Sequence, residues 1–195
     1  MATGQSDNPL PPVITITGRG LHLREWADND VPVMAQLFDE PEVGRWTPLP
    51  FPFGIPAAES YLARARHIRE AGAGIHLAIT TDGQEPLGEI LLYWTGEHRR
   101  DAELAYAIGA RYRRQRLALR AVQLMTSYAY DQLTPKRVIL LIEAENQASN
   151  HVARAANFQR TDEPPTIRKL KHRTVTLLTW SHHPCCDSRG HSDDS

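Results

Sequence analysis

Cysteine is almost missing from this 195-residue chain, and the two present, Cys185 and Cys186, are adjacent in a polar tail rather than spaced as a disulfide framework. No apolar run approaches the roughly 20 residues that a membrane-spanning helix needs. The opening Met-Ala-Thr-Gly-Gln-Ser-Asp-Asn-Pro has neither a basic stretch nor an apolar one, so no secretory signal is read there. A cytoplasmic location with no membrane partner follows as the expectation. Excess charge of either sign is lacking too: 22 Lys and Arg stand against 23 Asp and Glu, so no broad basic surface is offered to nucleic acid. Zinc spacing is also absent, because His182-His183-Pro-Cys185-Cys186 and His191 form no paired CxxC or HxxxH elements, and no metal is expected. What the chain does have is length and 41% hydrophobic residues, enough for one domain with its own core.

Both ends read as disordered: a leader over 1–19 with Pro9-Leu10-Pro11-Pro12, and a tail over 182–195. Between them, 20–181 reads as the domain. Leu21, Leu23 and Trp26 mark a short strand, and Asp28 precedes a helical pattern at Val31, Met34, Leu37 and Phe38. Pro41, Pro48, Pro50, Pro52 and Pro56 then interrupt the chain before a helix over about 57–71. Strands over 75–80 and 87–94 form a hairpin around Asp82-Gly83, and 102–108 adds a third strand. Its alternation puts Leu104, Tyr106 and Ile108 on one face and Glu103, Ala105 and Ala107 on the other. A helix over about 117–131, a fully apolar strand over 138–142, a short helix over 148–156 and a closing strand over 174–180 complete the pattern. The strand, helix, strand passage implies a parallel crossover. The fold class is therefore α/β (α+β), with a mixed sheet of about six to seven strands flanked by about four helices.

The chemistry is concentrated where the third meander strand runs through Arg111-Tyr-Arg-Arg-Gln-Arg116 into an amphipathic helix. The first amides of a helix lack internal partners and the macrodipole adds partial positive charge, so a phosphate is held there by backbone N–H groups. Arg111, Arg113, Arg114 and Arg116 add fork-shaped, charged donors. A diphosphate ligand suits this position. An RNA footprint is the disfavoured alternative, and it predicts affinity that falls steeply with salt.

The order of elements, together with Glu103-Leu-Ala-Tyr106, Arg113-Arg-Gln-Arg-Leu-Ala118 and Asn146-Gln-Ala-Ser149, resembles the RimJ/RimL-like branch of the GNAT acetyltransferases. Leu21-His-Leu-Arg24 and Pro41-Glu-Val-Gly-Arg-Trp46 agree with it. The resemblance implies the GNAT fold, acetyl-CoA as cosubstrate and a primary amine acceptor, either a protein N-terminus or a small molecule; a homodimer is compatible with it. It implies a cofactor site at Ala107, Ile108, Arg111, Arg113, Arg114, Gln115, Arg116, Leu117, Ala118 and Asn146. An acceptor wall at Trp46, Phe51 and Phe53 is implied as well. Where the family has Arg-Gly-x-Gly-x-Ala, this chain has Arg114 and Arg116 in place of glycine. Those arginines either grip phosphate or fill the cradle.

Acetyl transfer needs a base for the acceptor ammonium, a donor for the oxyanion and a proton for the leaving thiolate. Strand alternation makes Glu103 the candidate base, while the resemblance assigns the oxyanion to an N–H near Ala107 or Ile108 and the thiolate proton to Ser149. The bland alternatives are a structural ion pair for Glu103, helix capping for Asn146 and Ser149, and core packing for Trp46, Phe51 and Phe53. A catalytically silent GNAT-fold binding module is the competing function.

Overall fold

The computed structural model describes residues 13–96, 100–170 and 173–184. Among them, nine strands form one sheet and five α-helices pack on it. The strands are β1 (Thr15–Gly18), β2 (Leu21–Glu25), β3 (Gly74–Thr80), β4 (Gly88–Thr95), β5 (Asp101–Ile108), β6 (Arg137–Glu143), β7 (Gln159–Arg160), β8 (Thr166–Leu170) and β9 (Arg173–His182). The helices are α1 (Val31–Phe38), α2 (Pro41–Trp46), α3 (Ile55–Glu70), α4 (Leu117–Tyr128) and α5 (Gln147–Ala155). The sheet order is β1-β2-β3-β4-β5-β6-β9-β7, with β8 also on β9. Every pairing is antiparallel except β5 with β6, where α4 supplies the expected crossover.

Side-chain alternation sends each strand into two separate cores. On one face, Leu77, Ile79, Ile90, Leu92, Ala102, Leu104 and Leu140 pack against Leu117, Ala121, Val122 and Met125 of α4. On the other, Ala78 and Ala107 meet a cluster of Trp26, Met34, Phe38, Phe53, Tyr61 and Leu62 from the α1–α3 region. In α3, Ala58, Tyr61, Leu62 and Ala65 recur at three- and four-residue intervals and are the buried positions. Each fully buried large apolar side chain contributes about 1.5–3 kcal/mol.

The sheet has more strands than the six to seven expected, β1, β7 and β8 being the additions, and several boundaries differ from the sequence reading. The stretch assigned to a leader includes β1, with Ile14 and Ile16 buried, so the domain begins before residue 20; residues 1–12 lie outside the described residues. The proline-rich interval carries the six-residue α2, started by Pro41 in its first turn. The long helix leaves α geometry at Ala129 and widens into a π turn ending at Thr134, whose φ of 50° stops it ahead of Pro135. That turn aims Tyr130, whose hydroxyl donates to the His182 carbonyl at 2.6 Å and accepts from Val138 N–H at 3.2 Å. At the other end, β9 runs to His182, while Cys185, Cys186 and His191 of the tail lie outside the described residues. No described helix is long and apolar enough to cross a membrane.

Candidate active site

β5 and β6 pair only over Asp101↔Arg137, Ala102↔Val138, Glu103↔Ile139 and Leu104↔Leu140. Both strands continue past that point, to Ile108 and Glu143, without pairing to each other. Exposure changes at the same place: Ala102, Glu103 and Leu104 are buried, whereas residues 105–108 are partly exposed although they lie mid-sheet. A cleft therefore opens between two parallel strands. Its closed end is pinned by Arg137, which donates to Asp101 at 2.8 Å and also pairs with Glu163.

The open end leads to the arginine loop and the start of α4. Arg114 and Arg116 both adopt left-handed backbone, with φ of 64° and 57°. They thus hold the conformations glycine would supply, at a cost of about 1–2 kcal/mol each. The first main-chain bond into α4 runs from Arg120 N–H to the Arg116 carbonyl at 3.0 Å. Among the described residues, the amides of 114–119 donate to no protein acceptor.

Side chains divide sharply around this loop. Arg114, Gln115 and Arg116 are exposed, Arg111 lies over the Tyr112 ring at 5.5 Å, and Ala118 is half-buried. Arg113 is tied down, donating to Glu40 at 3.1 Å and to the Ile108 carbonyl at 3.2 Å. Glu40 also accepts from Ala110 N–H at 3.1 Å. Leu117 buries its side chain in the α4 core, so only its N–H faces a ligand. A separate depression of about 200 Å³, between α1 and residues 109–112, lies outside the cleft.

The sheet face toward α1–α3 carries the carboxylates. Glu103 is buried and takes both guanidinium nitrogens of Arg168, from β8, at 2.9 and 2.7 Å. Glu143 is held the same way by Arg173 of β9, at 2.7 and 2.8 Å, and Arg173 also donates to the Arg45 carbonyl at the end of α2. Both arginines are pushed further above their ordinary range by these carboxylate bonds. The predicted base is thus engaged in an ion pair.

A third carboxylate has no such partner. Glu89, in β4, accepts from Trp26 Nε1 at 2.8 Å and from Tyr61 Oη at 2.7 Å, and Tyr61 Oη also meets His76 Nδ1 at 3.1 Å. Burial raises Glu89 to about 7, against the pull of those two hydrogen bonds, and lowers His76 to about 4. His76 Nε2 is buried and has no partner among the described residues. The sequence signal was a single charge in the apolar run Leu87-Gly-Glu-Ile-Leu-Leu92.

The structure separates the three residues of the expected acceptor wall. Phe53 is 0% exposed and stacks edge-on against Phe38 and Tyr61, so it belongs to the core and cannot touch an acceptor. Phe51 is exposed; Trp46 is half-buried, under the Arg45 guanidinium at 4.5 Å. Asn146 caps α5, its Oδ1 accepting from Ser149 N–H at 3.0 Å. Ser149 is half-buried, and the Tyr106 hydroxyl lies within interaction range of it without closing a hydrogen bond; burial raises that phenol to about 12. Asn150, not anticipated, braces the β6–α5 turn by donating to the carbonyls of Glu143, Ala144 and Asn146. Among the described residues, no group of three or more His, Cys, Asp or Glu is placed to hold a metal.

Comparison with known proteins gives the same architecture. Residues 20–159 match the family model described as an acetyltransferase (GNAT) domain. The chain is 26% identical over 141 residues, 72% of its length and 80% of the relative's, to the uncharacterized N-acetyltransferase YoaA of Bacillus subtilis (strain 168). The acetyl transferase of Salmonella typhimurium that modifies the N-terminal serine of ribosomal protein L7/L12 superposes with a TM-score of 0.76 at 16% identity, covering 88% of this chain and 99% of that one. The microcin C7 self-immunity acetyltransferase MccE, solved with acetyl-CoA and AMP, superposes with a TM-score of 0.75 at 15% identity over 86% and 94% of the two chains. The mixed sheet and its flanking helices are those of the GNAT fold.

Proposed function

Because the chain belongs to the GNAT acetyltransferase family, we propose that it moves the acetyl group of acetyl-CoA to a primary amine by direct attack. The observation that carries this reading is the cleft between β5 and β6 leading to an α4 N-terminus whose amides have no protein partner. The donor set fits the ligand: main-chain N–H groups of 114–119, with the exposed guanidinium groups of Arg114 and Arg116, suit a diphosphate. When bound, acetyl-CoA supplies an activated acetyl thioester.

The protein's own residues then have separable tasks. Arg113, braced by Glu40, sets the path of the loop, and the main chain near Ala107 and Ile108 offers N–H donors for developing negative charge. Ser149 holds a proton for the departing sulfur, with the Tyr106 phenol behind it kept protonated by burial. The acceptor approaches from the α1–α3 side, past Trp46 and Phe51, where Ala105 and Ala107 present only small, partly exposed side chains on β5. A protein N-terminus is the acceptor acted on by the Salmonella relative, and an amine of that kind suits this side.

Titration calorimetry with acetyl-CoA tests the reading. Saturable heat and a raised melting temperature are expected, and silence in both at millimolar ligand would remove it. Arg113→Ala is expected to weaken acetyl-CoA binding by roughly 10-fold, because it removes the charge-assisted bond to Glu40 that holds the loop amides in place.

A further inference from the structure

Resting on that transferase reading, we propose that Glu89, rather than Glu103, takes the proton from the acceptor amine, with Trp26 and Tyr61 holding its carboxylate in place. In this step an N–H bond of the ammonium breaks, the proton forms an O–H bond on a Glu89 carboxylate oxygen, and the lone pair left on nitrogen becomes free to attack a carbonyl. Glu103 is poorly suited to this, since its two oxygens are held in an ion pair with the Arg168 cation, whereas the donors on Glu89, Trp26 and Tyr61, are neutral. Glu143 is occupied by Arg173 in the same manner.

Register makes the case geometric. Glu89 stands directly across from Ala107, on the same face, one strand over. Glu103 lies four residues back along β5, roughly 13 Å from Ala107. An amine that attacks a carbonyl held near Ala107 is therefore closer to Glu89. Each Glu89 oxygen accepts one hydrogen bond, leaving one lone-pair direction on each, and the neighbour across the strand is a methyl group on partly exposed Ala107. Ala107, small and partly exposed, is the surface residue next to this buried carboxyl.

The surroundings keep it a usable base. Tyr61 bonds it from α3 and Trp26 from the segment after β2, His76 of β3 lies 3.9 Å away, and Tyr93 of β4 feels its charge; Arg64 of α3 acts on Tyr61, His76 and Tyr93, and Glu103 of β5 acts on Tyr93. None of these forms a guanidinium fork on it, and His76 is held neutral by burial. A carboxyl poised near neutrality matches what a general base needs.

The test uses the full chain and Glu89→Gln, Glu103→Gln and Trp26→Phe. Acetyl-CoA binding is followed by calorimetry. CoA release is followed against pH, with a serine-initiated peptide or water as acceptor. ¹³C NMR follows the glutamate carboxyls. Glu89→Gln is expected to bind acetyl-CoA like the parent, to lose roughly 10²-fold or more in CoA release, and to lose the rise of rate with pH. Trp26→Phe, which removes one donor, should move both that rise and the Glu89 carbon titration to higher pH together. A Glu89→Gln protein that keeps its rate and pH profile overturns the assignment, as does a Trp26→Phe protein whose carbon titration moves while the rate profile stays. A tenfold or greater loss of rate in Glu103→Gln, with Glu89→Gln unaffected, returns the role to Glu103. Absence of acetyl-CoA binding, or of any CoA release, in the parent protein would instead bring down the transferase reading and the base with it.

Discussion

Glu89 and His76, 3.9 Å apart and both buried, are moved by desolvation in opposite senses, and this gives them opposite effects on stability. Glu89 rises from 4.5 to about 7, so between those values the unfolded chain gives up a proton that the folded one keeps. Its stabilising contribution is complete below 4.5 and is lost as pH climbs to about 7. His76 falls from 6.5 to about 4, so between those values the unfolded chain holds a proton that the folded one rejects, and stability rises with pH. Each shift is worth about 3 kcal/mol across its window. The parent protein should therefore show these two slopes cancelling where the windows overlap. Urea unfolding at several pH values should give a net downward tilt in His76→Gln and a net upward tilt in Glu89→Gln, each relative to the parent. The arginine loop yields a second prediction at this scale. Arg114→Gly and Arg116→Gly relieve left-handed strain, so each should raise stability by about 1 kcal/mol. Each also deletes an exposed guanidinium, so acetyl-CoA affinity should fall, and more steeply at low salt.

The hairpin of β8 and β9 is the element that ties down the carboxylate face of the cleft, because Arg168 and Arg173 reach from it to carboxylates on the cleft's two strands. Replacing Arg168 with Met leaves the buried Glu103 carboxylate without its partner. Since the Arg168 side chain is 44% exposed, solvent screens part of that loss, and the cost should be about 1–2 kcal/mol. Hydrogen exchange in residues 166–170 should quicken in Arg168→Met, and adding Glu103→Gln should restore most of the protection. This hairpin was only half legible from sequence. β9 has a buried alternation, but in Thr166–Leu170 no residue is buried, which leaves no period to detect. α2 was hidden by its six-residue length and its Pro and Gly. β5 and α4 were readable because their apolar spacing is intact, and the arginine loop because its members are neighbours in the chain. The Glu103–Arg168 pair spans 65 residues and Trp26–Glu89 spans 63, and nothing local prescribes either. The candidate site was therefore legible at the arginine loop and illegible where the buried carboxylates gather.

Across the whole molecule, ligand binding should join parts that are distant in the chain. Acetyl-CoA at about a hundred times its dissociation constant should add about 2.7 kcal/mol to global stability. Hydrogen exchange should slow together in 105–108, 141–143 and 114–119, while β1 and β2, at the far edge of the sheet, should change only with the global term. Protection limited to 114–119 would indicate an anion held by the helix alone. The parted strands carry one more consequence. Among the described residues, 105–108 and 141–143 are facing strand edges that do not pair with each other, an unfinished row of peptide rungs. A guest that completes the row has to bring amides of its own at strand-like intervals. On the transferase reading, a short acetyl thioester without such amides should enter poorly even though it offers the same reactive carbonyl, the handle of the acyl donor being sorted by a backbone grammar as well as by the arginine loop.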